Sequence, residues 1–503
     1  MQLTGQPLSL AQIARIALGG EPVEIDSSVH ARIHDSRRII DRIISAQTVV
    51  YGVSTGFGKL ADVQIPAAEL RQLQLNLVRS HACGIGSPLS VPEVRAMMVL
   101  RANVLALGFS GIRLEIVERL CQLLNHGVTP FIPEKGSVGA SGDLAPLAHL
   151  ALTLIGEGDA IYEDVRMPSS EALGKAGLQP VVLEAKEGLA LLNGTQAMHA
   201  VGAMALRRAK RVTRVADVVG AMTLDALKGT PTAFDSRIHD ARPHHGQRAV
   251  AAHLCELLRD SEIRQSHLTG DPRVQDAYSL RCMPQVHGAV RDALAHCERV
   301  LETESGSATD NPLVFSKTGD VLSGGNFHGA PLALALDYAA IALADLMSIS
   351  ERRTDRLVNP DLNEGLPPFL ARHAGTHSGF MILHVAAVAL LSEAKILAHP
   401  ASVDNLPTSG GKEDHVSMGM TAALKLRGLV DNAERALAIE LLAAAQGLEF
   451  RRPLRSGVGV ERAYERARAF SPSVTDDRSL TPDIERIAAA IRDGAFNTET
   501  EEI

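Results

Sequence analysis

Beyond about Ala200 the chain is carried by long Ala- and Leu-rich segments: Ala200–Leu227, Gln285–Glu302, Pro331–Arg353, His377–Ala398 and Met418–Gln446. Their apolar residues recur at helical spacing, and several segments are apolar on nearly every side. Such a helix must be covered all round, inside a large bundle or by partner subunits. Helices of this length draw their stability mainly from packing, which again points to a bundle with oligomeric contacts. Aromatic residues make up 3% of the chain and tryptophan is absent, so Ala and Leu must fill the core, and small side chains let helices approach closely. The pattern predicts an all-α, mainly helical protein in which residues 201–503 form a long bundle with C-terminal helices.

Residues 1–200 read as a separate N-terminal domain. Helical stretches such as Pro92–Leu107 and Leu114–Asn125 alternate there with glycine-punctuated loops: YGVSTGFG at Tyr51–Gly58, HACGIG at His81–Gly86 and KGSVGASGD at Lys135–Asp143. The net charge of −8 argues against nucleic acid as the main partner. Five scattered cysteines without metal-ligand spacing fit buried thiols in a reducing compartment, and no metal site is expected. The N-terminus lacks the pattern of a secretory signal. The most apolar windows, Ala330–Ile349 (with Asp337 and Asp345) and the short Phe380–Leu391, read as helices buried in protein. A cytoplasmic protein with no membrane partner is the expectation.

The loop Gly136-Ser137-Val138-Gly139-Ala140-Ser141-Gly142-Asp143 leads into LAPLAHLALTLIGEG. Asp143 is expected to cap the following helix, and Pro146 falls in its first turn, where a missing N–H costs little. A glycine-rich loop before a helix suits a phosphate site, but neither GxGxxG nor GxxxxGK[ST] is present.

GSVGASGDLAPLAH closely resembles the signature of the aromatic amino acid ammonia-lyase and aminomutase family, and further blocks match in order along nearly the whole chain. In that family Ala-Ser-Gly cyclises and loses water to give 4-methylideneimidazol-5-one (MIO). The resemblance therefore implies an MIO group built from Ala140, Ser141 and Gly142, with no external cofactor. The residue types suit this, because the Gly142 nitrogen must reach the Ala140 carbonyl through a compressed backbone that a bulky residue would resist. The resemblance further implies that Tyr51 is the catalytic base, a task a tyrosine meets when nearby donors depress its pKa. It implies that Asn193, in EGLALLNGTQ, holds substrate and the MIO carbonyl. In VQDAYSLRCMPQVHG it assigns Gln275 to the substrate, Tyr278 to MIO formation and proton handling, and Arg281 to the substrate carboxylate, which a guanidinium binds bidentately. Phe327, in SGGNFHG, is expected to pack near the MIO. Each has a plainer reading as an aromatic anchor, an Asn-Gly turn, a solvated charge or a core phenylalanine.

Two positions bear on the substrate. Ser80-His81 matches members acting on histidine, where those acting on phenylalanine or tyrosine carry Phe-Leu or His-Leu. Glu413, in TSGGKEDHVSMG, stands where those same members carry a glutamate for the imidazole N–H, with Met381 as its apolar neighbour. Elimination of ammonia from L-histidine to give trans-urocanate is thus implied. The alternatives are an MIO lyase for tyrosine, phenylalanine or ergothioneine, an aminomutase, and an inactive scaffold. Three blocks depart from the family's usual residues: Gly410-Gly411-Lys412 replaces Ala-Asn-Gln, Met283 replaces Gln, and His245 replaces Pro. Lys412 either pairs with Glu413 or points to solvent. A fumarase/aspartase-like bundle and a homotetramer with active sites shared between subunits complete what the resemblance implies. In such an assembly Tyr51 and Phe327 need not share a chain with the local MIO.

Overall fold

The computed structural model describes residues 1–497. Helices dominate it, and strands are confined to four small sheets of two or three strands. The long apolar segments are helices at Gln196–Ala226, Met283–Ser305, Ala330–Val358, Met381–Leu397 and Gly419–Glu449, as their periodicity predicts. The expected start at His377 is displaced to Met381. Gly379 is left-handed (φ +56°), and the Ser378 and Gly379 amides bond to the Asp477 carboxylate instead of entering a helix. Val91–Leu105 begins where its sequence says it should. Ser90 and Glu93 form a reciprocal capping box, and Pro92 lies in the first turn. Ala330–Val358 is the one described helix long and apolar enough to cross a membrane, and 67% of its most apolar window is buried inside the protein. All five cysteines are free.

The chain divides into two compact units. The first comprises 1–204, 298–337 and 400–424, and the second 205–297, 338–399 and 425–503. The chain thus first leaves unit one after residue 204, then returns to it twice.

In the first unit, the helices Leu70–His81, Leu144–Leu154 and Glu187–Leu192 pack on one another. Buried Gln74 fixes two of them together by accepting from the Gly188 amide at 2.9 Å. The strands Ile85–Pro88 and Pro133–Lys135 pair antiparallel, so the loop after His81 is held beside the loop that begins at Lys135. In the second unit, one buried polar network links the four long helices that contribute to it. Arg353 and Glu440, both fully buried, pair at 2.6 Å, and Glu440 also accepts from Thr223 and Ser350. Arg353 reaches His287, which bonds Asp217 at 2.7 Å, and Asp217 further binds His253 and Arg291. Met283 is fully buried, with its sulfur against Gly220, where any side chain would collide with it.

Candidate active site

Gly139 and Gly142 face each other across an antiparallel bridge, with Ala140 and Ser141 at the tip of the turn. Ser141 (φ +54°) and Gly142 (φ +77°) are both left-handed, a conformation that costs a serine about 1 kcal/mol. Gly142 has no alternative, since a Cβ there would collide with the Gly194 carbonyl. Asn193, just after the Glu187–Leu192 helix, donates from Nδ2 to the Ser141 carbonyl oxygen at 3.2 Å, and its Oδ1 is buried without a partner among the described residues. The Ser141 hydroxyl donates to Glu413 Oε1 at 2.8 Å. Glu413 Oε2 accepts from Thr408 at 2.7 Å and Ser409 at 2.6 Å. Burial opposes ionisation of Glu413, but the three hydroxyls and nearby His81 outweigh it and hold the carboxyl below its ordinary range.

Asp143 corrects one expectation. It precedes the Leu144–Leu154 helix without capping it. Its backbone (φ −104°, ψ 55°) is not the extended form that turns a side chain back onto its own first turn. The carboxylate instead accepts from the Ser137 hydroxyl at 2.8 Å and from the Met198 amide at 2.8 Å, capping the start of Gln196–Ala226. Burial pushes this carboxyl up to about 6.

A cavity of about 610 Å³ opens onto the turn, lined by Tyr51, His81, Ser141, Asn193 and Glu413 over apolar walls that include Leu189 and Leu192. Tyr51 is placed by its neighbour. Gly52 is left-handed, and a Cβ on it would stand 2.7 Å from Leu189 and 3.1 Å from Pro312, so only glycine lets the loop press this close. His81 ends its helix with Nδ1 2.9 Å from the Leu77 carbonyl. A carbonyl can only accept, so Nδ1 carries the proton and Nε2 remains an acceptor. Burial holds the imidazole below its ordinary pKa.

Tyr51, His81, Ser141, Asn193 and Glu413 therefore meet within one chain. Gln275, Tyr278 and Arg281 belong to the second unit and form a cluster of their own. Arg281 donates to the Gln275 side-chain oxygen and lies 4.7 Å from the centre of the Tyr278 ring, which is 71% exposed. Met381, the first residue of its helix, is also in the second unit and exposed. Phe327 is half-buried in the first unit but outside the cavity lining. Lys412 is exposed and outside the lining too, the solvated of its two readings. Sequence reasoning passed over Thr408 and Ser409, although two hydroxyl residues just ahead of a candidate carboxylate were the available signal. It also passed over Lys59 and Phe57, which line the cavity from the Tyr51 loop. Among the described residues, no group of three or more His, Cys, Asp or Glu side chains is arranged to hold a metal ion.

A left-handed serine in a turn closed by Gly139 and Gly142 is thus held by an amide and a carboxylate at the wall of an apolar cavity. The family model described as aromatic amino acid lyase matches residues 8–469. The chain belongs to the aromatic amino acid lyase family. Among its relatives, the histidine ammonia-lyase of Sorangium cellulosum (strain So ce56) is 56% identical over 508 residues, covering 99% of each protein. That of Myxococcus xanthus (strain DK1622) is 54% identical over 492 residues, covering 98% of this chain and 96% of the relative. Among solved structures, histidine ammonia-lyase from Trypanosoma cruzi superposes with a TM-score of 0.91 at 44% identity, covering 98% of this chain and 94% of that one. Tyrosine aminomutase from Streptomyces globisporus gives 0.93 at 38% identity, covering 99% and 97%.

Proposed function

We propose that this chain is a carbon–nitrogen lyase that eliminates ammonia from L-histidine to give trans-urocanate, using an MIO group formed from Ala140, Ser141 and Gly142. The observation that carries this reading is the Ser141 contact set, in which Asn193 holds the carbonyl and Glu413 the hydroxyl of a serine locked in a tight glycine-flanked turn. The turn fits the group: its backbone is already compressed, and Gly194 leaves no room for a side chain at Gly142. MIO supplies an electrophilic methylidene carbon.

The remaining chemistry belongs to the chain's own side chains. Glu413 Oε1 is occupied by the Ser141 hydroxyl in the uncyclised chain. Once that hydroxyl has left as water, the same oxygen is free to accept from the substrate's imidazole N–H. His81 Nε2 offers a second acceptor, and a purely apolar pocket would leave that N–H unpaired. Asn193 Oδ1 is the remaining buried acceptor for a substrate donor. Tyr51 removes the β-proton, and the apolar leucine walls exclude water from that step. Arg281, aligned by Gln275, binds the substrate carboxylate; Tyr278 assists proton handling; Phe327 and Met381 close the site.

These last residues reach the cavity in a homotetramer whose active sites are shared between subunits. Supporting this are the exposure of Tyr278 and the apolar stripe Met381, Ile382, Val385 and Val388 left uncovered on its helix. We place the protein in the cytoplasm, without nucleic acid or membrane as partner. The identity of the relatives and the two acceptors on the cavity wall favour histidine over tyrosine, phenylalanine or ergothioneine.

The test is ultraviolet detection of urocanate from L-histidine, with L-tyrosine, L-phenylalanine and ergothioneine in parallel, together with intact mass. A mass two waters below the unmodified chain is expected, and Ser141→Ala is expected to abolish both that deficit and turnover. A wild-type mass equal to the unmodified chain would overturn the mechanism. Turnover of another substrate alone would overturn the specificity.

A further inference from the structure

Arg101 stands out among the charged groups with no role in the site. It lies on the Val91–Leu105 helix and is fully buried. Burial lowers its pKa to about 10, well above neutrality, so it stays a cation inside the first unit. Asp310 acts on it electrostatically, but its hydrogen-bond partners are neutral acceptors: Nη2 donates to the Ala190 carbonyl and Nη1 to Gln196 Oε1 at 2.7 Å. Gln196 in turn donates to the Thr309 hydroxyl at 2.9 Å. Ala190 and Gln196 flank Asn193-Gly194, one on the Glu187–Leu192 helix and the other opening Gln196–Ala226. The guanidinium fork therefore ties together the two helix ends between which that turn is strung.

The turn is clamped from both sides. A Cβ on Gly194 would collide with Arg101 Nη1 and Gln196 Oε1 and would stand 2.9 Å from the Thr309 hydroxyl. Toward the site, the Gly194 carbonyl accepts from the Asp143 amide at 2.7 Å and is the atom that forbids a side chain at Gly142. Asn193 beside it reaches the Ser141 carbonyl. Any movement of Asn193-Gly194 thus shifts Asn193 and loosens the turn at Ala140–Gly142 together.

We infer that Arg101 is a positioning residue for the reaction, its buried guanidinium clamping the Asn193-Gly194 turn from behind so that Ala140-Ser141-Gly142 is held compressed for cyclisation and Asn193 is held on the Ser141 carbonyl. This rests on the reading of Ala140–Gly142 as the source of the electrophile. A fork bridging two acceptors on different helices is a geometric demand, which a single ammonium meets poorly even though it keeps the charge.

The test compares Arg101→Lys, Arg101→Met and Gln196→Leu with wild type. Each is read by intact mass for the two-water deficit, by kcat and KM for histidine, and by circular dichroism for folding. Gln196→Leu leaves the buried cation in place and removes one prong of the clamp, so it reports even if Arg101→Met fails to fold. We expect Gln196→Leu and Arg101→Lys to fold and to cyclise only partly, and their cyclised fraction to show kcat lower by up to about 100-fold, the scale of an ångström of misplacement. KM should change far less. Folded variants with the full water deficit and unchanged kcat would overturn the inference. A wild-type chain without the deficit would instead overturn the proposed function, leaving the two failures distinct.

Discussion

At the scale of single residues, Glu413 carries the sharpest test of specificity. Glu413→Gln keeps the shape but exchanges one carboxylate oxygen for an N–H that can no longer accept. The expected result is a loss of about 10- to 100-fold in kcat/KM for histidine, with discrimination against phenylalanine reduced in step. Steady-state kinetics on both substrates checks it, and an unchanged ratio would remove Glu413 from substrate recognition. The sequence made this residue legible through its motif, as it did Tyr51, His81, Ser141 and Asn193, because each belongs to a short block whose residue types suit one task. The Ser141–Glu413 bond was not legible. It joins positions 272 residues apart, and nothing in either block specifies that the two side chains meet. Asp143 shows the same gap: its place before a helix predicted a cap, but its backbone angles sent the carboxylate to a different helix.

At the scale of elements, the long helices were legible from periodicity because burial on nearly every side demands continuous apolar sequence. Their ends depended on loop bonds such as Asp477 to the Ser378 and Gly379 amides, which leave no periodic trace. The polar residues inside the bundle were illegible for a related reason. Arg353, Glu440, His287 and Asp217 each look like an ordinary charge on a helix until the helices are assembled. Arg353 and Glu440 are both fully out of solvent, so removing one leaves an unpaired buried charge. Arg353→Met is expected to destabilise the fold by about 3–5 kcal/mol. Replacing both partners by apolar residues of similar volume should recover much of that loss. Denaturant unfolding of the two variants measures it, and equal losses in single and double variants would mean that the pair is not the source.

At the scale of the whole molecule, acid should weaken the fold through its histidines. Burial depresses the pKa of His81, His149, His199 (to about 3) and His287. Each is neutral when folded and takes up a proton near 6.5 when unfolded, so its contribution is present above that value and fades as pH falls below it. Asp143 and Asp225, raised to about 6 by burial, and Glu304, also raised by burial, act in the opposite sense and favour the fold as pH falls. Four histidines against three carboxyls give a thermal midpoint expected to drop between pH 7 and pH 5. A midpoint that rises over that interval would show the carboxyls to dominate. The interleaving of the two units also sets a schedule for biosynthesis. The Ala140–Gly142 turn leaves the ribosome early, while the carboxylate that bonds its serine arrives with the 400–424 segment, after most of the chain has been translated. A nascent chain stalled before that segment would carry Ala140, Ser141 and Gly142 without the completed pocket, so on the proposed reading the electrophile would form in its finished surroundings only after most of the polypeptide had been made.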